Sequence, residues 1–252
     1  MRRDELDRVE AHARGVAALG AERVAVGAFD AFLAAEGPSY AVPARPTGDA
    51  TALAAELAEL DATFRARGLP LRIELTLVLW PELSPALVAA GLTPVEETPL
   101  FVVGPEGFRP RSVAGLDVRW LAPEESPAFA LALVRQGYEL RGPPPSADEV
   151  AALRASLAGP LRLATATLDG LPAGAGFSLP LADTTELSGV TTLPTQRRRG
   201  VGAGLVSFLV ARHFEAGGAL AWAASDDPRA AALFYRVGFH DGGLRVAWVQ
   251  RS

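Results

Sequence analysis

The stretch TTELSGVTTLPTQRRRGVGAGLVSFLVARHFEAG, residues 184–217, decides how the chain is read. Its first part, Leu187 to Leu193, is apolar and partly alternating, the pattern of a half-buried strand. Pro194 ends the run, because proline brings no N–H to a ladder. Arg197, Arg198 and Arg199 follow, then glycines at 200, 202 and 204. Val201, Leu205, Phe208 and Leu209 fall at i, i+4, i+7 and i+8, one apolar face of a helix. The order is strand, glycine loop, helix. With no side-chain bulk at Gly200, Gly202 and Gly204, the unpaired N–H groups of the first turn lie open to an anion. The arginines add positive charge beside them. Together they predict a seat for a phosphate or pyrophosphate.

Two common phosphate loops are excluded. A Walker A loop needs a lysine, and the chain has none. The dinucleotide fingerprint GxGxxG is also absent. What stands here is Arg197-Arg198-Arg199-Gly200-Val201-Gly202, or RxxGxG, directly after a strand and a proline. This resembles the acyl-CoA loop of the GNAT superfamily of N-acetyltransferases. Glu186 upstream and ALFYRVGF at 232–239 strengthen the likeness. The latter looks like the family's second signature, a helix that carries a tyrosine and ends in Gly-Phe.

The resemblance implies acetyl-CoA as co-substrate. It puts the pantetheine arm along Val190, Thr191, Thr192 and Leu193. The pyrophosphate then lies on the loop from Arg197, Arg198 and Arg199 through Gly200, Val201, Gly202, Ala203 and Gly204. Arg229 either touches a cofactor phosphate or only begins its helix. The family often carries Asn seven residues before the tyrosine; here Pro228 stands there, and Ser225 is the candidate replacement. Glu186 is the implied base for the amine and Tyr235 the implied acid for the departing thiolate. By strand alternation Glu186 shares a face with Ser188 and Val190.

Composition sets the frame. The 252 residues suffice for one large or two small domains, and 49% apolar residues supply a sizeable core. A net charge of −5 argues against general nucleic-acid binding. There is no cysteine, so disulfides, thiolate metal sites and a cysteine nucleophile are excluded. His12, His213 and His240 stand far apart, and no metal site is expected. Neither a signal peptide nor a membrane span is legible, so a cytoplasmic protein is expected.

Along the chain, helices are expected at 3–19, 47–67 and 84–90, with strands at 22–34, 39–44, 71–79 and 99–103. A Gly/Pro-rich link at 104–112 marks a boundary. After it come a strand at 116, helices at 126–138 and 146–157, and strands at 161–168, 172–179 and 184–193. The glycine loop and long helix follow, then a strand at 219–224, a helix at 229–237 and a strand at 244–249. Ser146 with Glu149 is a capping box. The expected fold is α/β (α+β): a mixed, mostly antiparallel sheet flanked by helices, matching the GNAT fold over 114–250.

The two halves echo each other. PTGDATALAAELAELDATFRARG at 46–68 and PTQRRRGVGAGLVSFLVARHFEAG at 194–217 each lead to a strand, a short helix and a last strand. The first copy lacks the arginines and the glycines, and carries Gly48-Asp49-Ala50 instead. The expectation is a duplicated fold: residues 1–110 a degenerate GNAT-like domain without a cofactor loop, and 114–252 the catalytic domain. The expected activity is acetyl transfer from acetyl-CoA to a primary amine of a small molecule or peptide. The alternative is a non-catalytic acyl-CoA sensor. The acceptor site is expected among 125–160 and after 239, with Tyr138 and Gly142 to Pro145 on its rim. Asp226-Asp227 and Glu124-Glu125 would suit a cationic acceptor. Oligomeric state is left open.

Overall fold

The computed structural model describes residues 3–35 and 37–250. In chain order the elements are α1 (Arg3–Ala17), β1 (Ala21–Val26), β2 (Phe29–Ala34), β3 (Tyr40–Pro43), α2 (Ala50–Arg65), β4 (Arg72–Thr76), α3 (Leu83–Ala89) and β5 (Leu92–Val103). Then come β6 (Leu116–Trp120), α4 (Ala128–Gly137), α5 (Ala147–Ala158), β7 (Arg162–Leu168), β8 (Leu171–Leu181) and β9 (Thr184–Thr192). The last are α6 (Val201–Glu215), β10 (Leu220–Ala224), α7 (Pro228–Val237) and β11 (His240–Gln250). Short 3₁₀ turns at Leu77–Leu79 and Pro194–Gln196 link β4 to α3 and β9 to α6.

The chain divides into two compact units: Met1–Leu100 with Gly242–Ser252, and Phe101–Asp241. The expected split at 104–112 gave the last strand to the second unit, and contacts give it to the first. β11 pairs antiparallel with β4, from Arg245↔Thr76 to Val249↔Arg72. Its Val246 and Trp248 lie in the first unit's core with Phe29, Leu57, Phe64 and Ile73. Arg245 reaches the Glu74 carboxylate at 3.2 Å. Conversely Phe101 and Val103, the end of β5, belong to the second unit's core.

In the first unit the strand order is β1-β2-β3-β4-β11. The expected single strand at 22–34 is a hairpin, because Gly27, at φ 51°, turns the chain between β1 and β2. Helix α2 buries Leu53, Leu57, Leu60 and Phe64, the face its spacing predicts. Asp49 is its N-cap, and the carboxylate accepts the N–H groups of Thr51 and Ala52, both at 2.9 Å.

The second unit holds the order β10-β9-β8-β7-β6. Strands β6 to β9 pair antiparallel, and β9 with β10 parallel. This is a mixed, mostly antiparallel sheet with helices on both faces. Helix α6 buries Val201, Leu205, Val206, Leu209 and Val210 on one face, against Leu187, Ala221 and Phe234. On the other face α4 packs Ala130 and Leu133 against Leu163 and Ala175. Helix α5 begins with the capping box of Ser146 and Glu149. The run helix, strand, short helix, strand occurs twice along the chain, as α2-β4-α3-β5 and as α6-β10-α7-β11.

Candidate functional site

The site forms where two neighbouring strands part. The ladder between β9 and β10 runs Leu220↔Thr184, Ala221↔Thr185 and Trp222↔Glu186, and ends there. Past Glu186 the strand leaves its parallel neighbour. Its opposite edge stays paired with β8, but with a shift. Ala175 faces Thr191 and Phe177 faces Ser188, so two steps on β8 match three on β9. The extra residue is a bulge at Gly189, whose φ is 57°. Side-chain alternation therefore changes phase within β9. Glu186, Ser188 and Thr191 share the α4 face. Val190 turns to the α6 face, where its Cγ2 would lie 3.3 Å from a Cβ at Gly176. The expected common face for Glu186 and Val190 is thus corrected.

At the end of β9 the chain enters the glycine loop. Arg198 is left-handed at φ 65° and Gly200 at φ 85°. A left-handed arginine costs roughly 1–2 kcal/mol, so the loop holds a shape that its sequence resists. Gly200 is the N-cap of α6 and supplies no side-chain cap. The N–H groups of Val201, Gly202 and Ala203 thus have no partner within the helix. They open on a cavity of about 640 Å³. Its walls are Val190 to Thr192 of β9, the loop and first turn of α6, the end of α4, and one face of α7.

Residues 131–239 match the acetyltransferase (GNAT) family. Solved structures extend the likeness. A GCN5-related N-acetyltransferase from Kribbella flavida superposes with a TM-score of 0.78 at 24% identity, over 98% of this chain and 96% of that one. A GCN5-related N-acetyltransferase from Sphaerobacter thermophilus gives 0.67 at 14% identity, over 89% and 78%. A tandem GNAT protein from the clavulanic acid biosynthesis pathway gives 0.63 at 17% identity, again over 89% and 78%. The chain has the GNAT fold. Comparison with curated proteins gives no match.

Within that GNAT fold most of the expected donor-site residues meet at one place. Val190, Thr191, Thr192, Arg197, Arg198, Gly200, Val201, Gly202, Ala203 and Arg229 all line the cavity. The others stand elsewhere. Leu193 packs into the α4 cluster, and its N–H is given to the Ala173 carbonyl at 2.9 Å. Gly204 is a packing glycine: a Cβ there would lie 2.2 Å from Leu116 Cδ2. Ser225 accepts the Asp227 N–H at 3.2 Å and shapes the turn into α7. Arg199 is tied to Gln196 at 2.6 Å and to Asp169 at 2.7 Å.

Arg197, on the cavity wall, is also tied to α4. Its guanidinium donates to the Glu139 carboxylate and to the Gly137 carbonyl, each at 2.7 Å, and to the Thr192 carbonyl at 3.4 Å. It binds the end of α4 to the end of β9. Gly137 makes this approach possible, since a Cβ there would fall 1.8 Å from Thr191 Oγ1. Tyr138, between the two clamped residues, is held at the cavity wall. Burial, then the charge of Asp227, raises its phenol above the usual pKa. It therefore stays protonated at neutral pH.

Tyr235 is not among the cavity-lining residues. Its hydroxyl donates to Asp241, and its ring meets Phe101 edge-on at 5.5 Å. That hydrogen bond, then burial and the Asp241 charge, raises its pKa. The neighbour Phe234 reaches the cavity instead. The acidic clusters are partly spent on local partners. Glu125 is bidentate with Arg119 at 2.6 and 2.7 Å, and Asp227 pairs with Arg229 at 3.0 Å. Arg236, not singled out by the sequence motifs, also lines the cavity. Its signal was its spacing: positions 229, 232, 233 and 236 form one helical stripe.

Among the described residues no helix is long and apolar enough to cross a membrane. Nor does any group of three or more His, Asp or Glu side chains there form a metal-ligand cluster.

Proposed function

We propose that the second unit transfers an acetyl group from acetyl-CoA to a primary amine of a small molecule or peptide, by direct attack of the amine on the thioester. One observation carries this reading. The uncapped start of α6 and the unpaired edge of β9 line the same cavity, inside the segment that matches the acetyltransferase (GNAT) family. The donor set suits the ligand. First-turn amides and Arg198 meet the pyrophosphate, and the edge from Val190 to Thr192 offers backbone groups to the amides of pantetheine.

The remaining roles follow from what direct attack demands. An ammonium has no lone pair, so a base must take its proton. Glu186 stands on the last rung before the strands part, and fills that part directly or through water. The tetrahedral oxyanion needs a donor, and a backbone N–H beside the bulge at Val190 supplies it. The leaving thiolate takes a proton from a phenol. Tyr138 is at the cavity wall, whereas Tyr235, the residue expected from the motif, engages Asp241. No acyl-enzyme on a thiol is available to a chain without cysteine.

The first unit carries no cofactor in this reading. The amides at the start of α2 are already taken by Asp49. Its part is structural, including the support that β11 draws from β4.

The test is release of free CoA from acetyl-CoA in the presence of a broad panel of primary amines. Turnover with any member supports transfer. Tight acetyl-CoA binding with no turnover across the panel would contradict transfer and favour a sensor.

A further inference from the structure

The cavity wall carries four arginines, at 197, 198, 229 and 236. Two are committed. Arg197 clamps Glu139 and Gly137, and Arg229 is held by Asp227 at the cap of α7. The guanidinium groups of Arg198 and Arg236 are exposed, and neither makes a hydrogen bond or ion pair among the described residues. Arg236 is engaged only through its backbone carbonyl, which accepts Arg111 Nε at 3.1 Å.

The two free cations are separately placed. Arg198 lies on the loop just before the α6 start. Arg236 lies on the last turn of α7, on the stripe that also presents Arg229 and Leu233 to the cavity. Leu233 marks where this helix meets the first turn of α6: its Cδ1 would be 2.6 Å from a Cβ at Gly202. Arg236 is three residues further, about 4.5 Å along the axis, and Arg229 is about 6 Å the other way. So one free guanidinium stands at the helix start and the other a turn beyond it on the opposite wall.

A coenzyme A molecule has two anionic centres, the pyrophosphate and the ribose 3′-phosphate. The α6 amides with Arg198 answer the first. The second, near a charge of −2, calls for its own cation, and a guanidinium meets a phosphate monoester bidentately. We infer that Arg236 reads the ribose 3′-phosphate and makes the cavity select coenzyme A over its 3′-dephospho form. This rests on the acyl-donor reading of the cavity.

The test is calorimetric titration of coenzyme A and of 3′-dephospho-coenzyme A into three proteins: wild type, Arg236→Gln and Arg198→Gln. Wild type should prefer coenzyme A by roughly tenfold or more, the loss expected when a charged hydrogen-bond partner is removed. Arg236→Gln should erase that preference while leaving the dephospho affinity unchanged. Arg198→Gln should weaken both ligands alike and keep their ratio. A preference that survives Arg236→Gln, or one abolished by Arg198→Gln, overturns the assignment. Equal wild-type affinities would sink this inference alone. No binding of either ligand would sink the acyl-donor reading beneath it.

Discussion

Asp49 and Gly200 hold the same position at the start of two corresponding helices, and only Asp49 fills its own helix start. The Asp49 carboxylate takes two first-turn N–H groups of α2, while Gly200 offers α6 no side chain. An anion arriving at α2 would have to displace a fixed negative charge. At α6 it meets open amides and the free guanidinium of Arg198. The contrast turns one supersecondary unit into a structural element and the other into a candidate phosphate seat.

Asp49→Ala should therefore cost stability without touching donor binding. Loss of an N-cap costs typically about 1 kcal/mol. Urea unfolding should show that decrease, while acetyl-CoA affinity stays as in wild type. A weakened affinity would place a ligand at the first unit.

Glu186→Gln should lower turnover and leave acetyl-CoA affinity nearly unchanged. The deficit should shrink as pH rises toward the amine's own pKa, since free amine then forms without a base. A pH–rate profile with a verified acceptor checks this. Turnover equal to wild type from about pH 6 to 9 would reduce Glu186 to a structural acid.

The two phenols separate cleanly. Tyr138→Phe keeps the ring and removes the phenol hydroxyl at the cavity wall. Turnover should fall, toward the low end of the ~10²–10⁴-fold range for a lost general acid, because a thiolate leaves readily. Tyr235→Phe should instead leave turnover close to wild type and lower stability, through the lost hydrogen bond to Asp241. The reverse pattern would restore Tyr235 as the acid.

Near the start of α4, Arg119 holds the Glu125 carboxyl down to about 2, with help from the Ala122 N–H. A depressed carboxylate stabilises the fold above its unfolded pKa, about 4.3, and that contribution is lost as pH falls through the folded value. Glu125→Gln should therefore be less stable than wild type at neutral pH. The gap should narrow from about pH 4.5 downward. A gap that stays constant to pH 3 would show that the ion pair contributes nothing.

Much of this architecture was legible in the residues. The apolar spacing of 201–209, the punctuation by Pro194 and the glycines, and the Ser146–Glu149 capping box are local signals, and local geometry honours them. What the sequence concealed is long-range. Arg197 looks like a phosphate ligand in its motif, yet its partner Glu139 lies 58 residues away. The bulge at Gly189 reverses which face Val190 occupies, and no alternation pattern announces it. Gly204 continues the glycine series but serves a close approach to Leu116. Tyr235 and Phe234 are adjacent, and only the roll of α7 decides that phenylalanine reaches the cavity. The placement of β11 with β4 likewise has no local signature.

The central claim is that the α6 start is the acyl-donor seat, and calorimetric titration of acetyl-CoA into wild type and Gly202→Val tests it most directly. A Cβ at Gly202 would lie 2.6 Å from Leu233 Cδ1 and 3.5 Å from Thr192 Oγ1, both on residues of the cavity wall. Wild type should bind one acetyl-CoA per chain, and the folded variant should bind at least about tenfold more weakly, or about 1.4 kcal/mol. Two sites per chain, no binding by wild type, or unchanged affinity in a folded Gly202→Val protein would contradict the account.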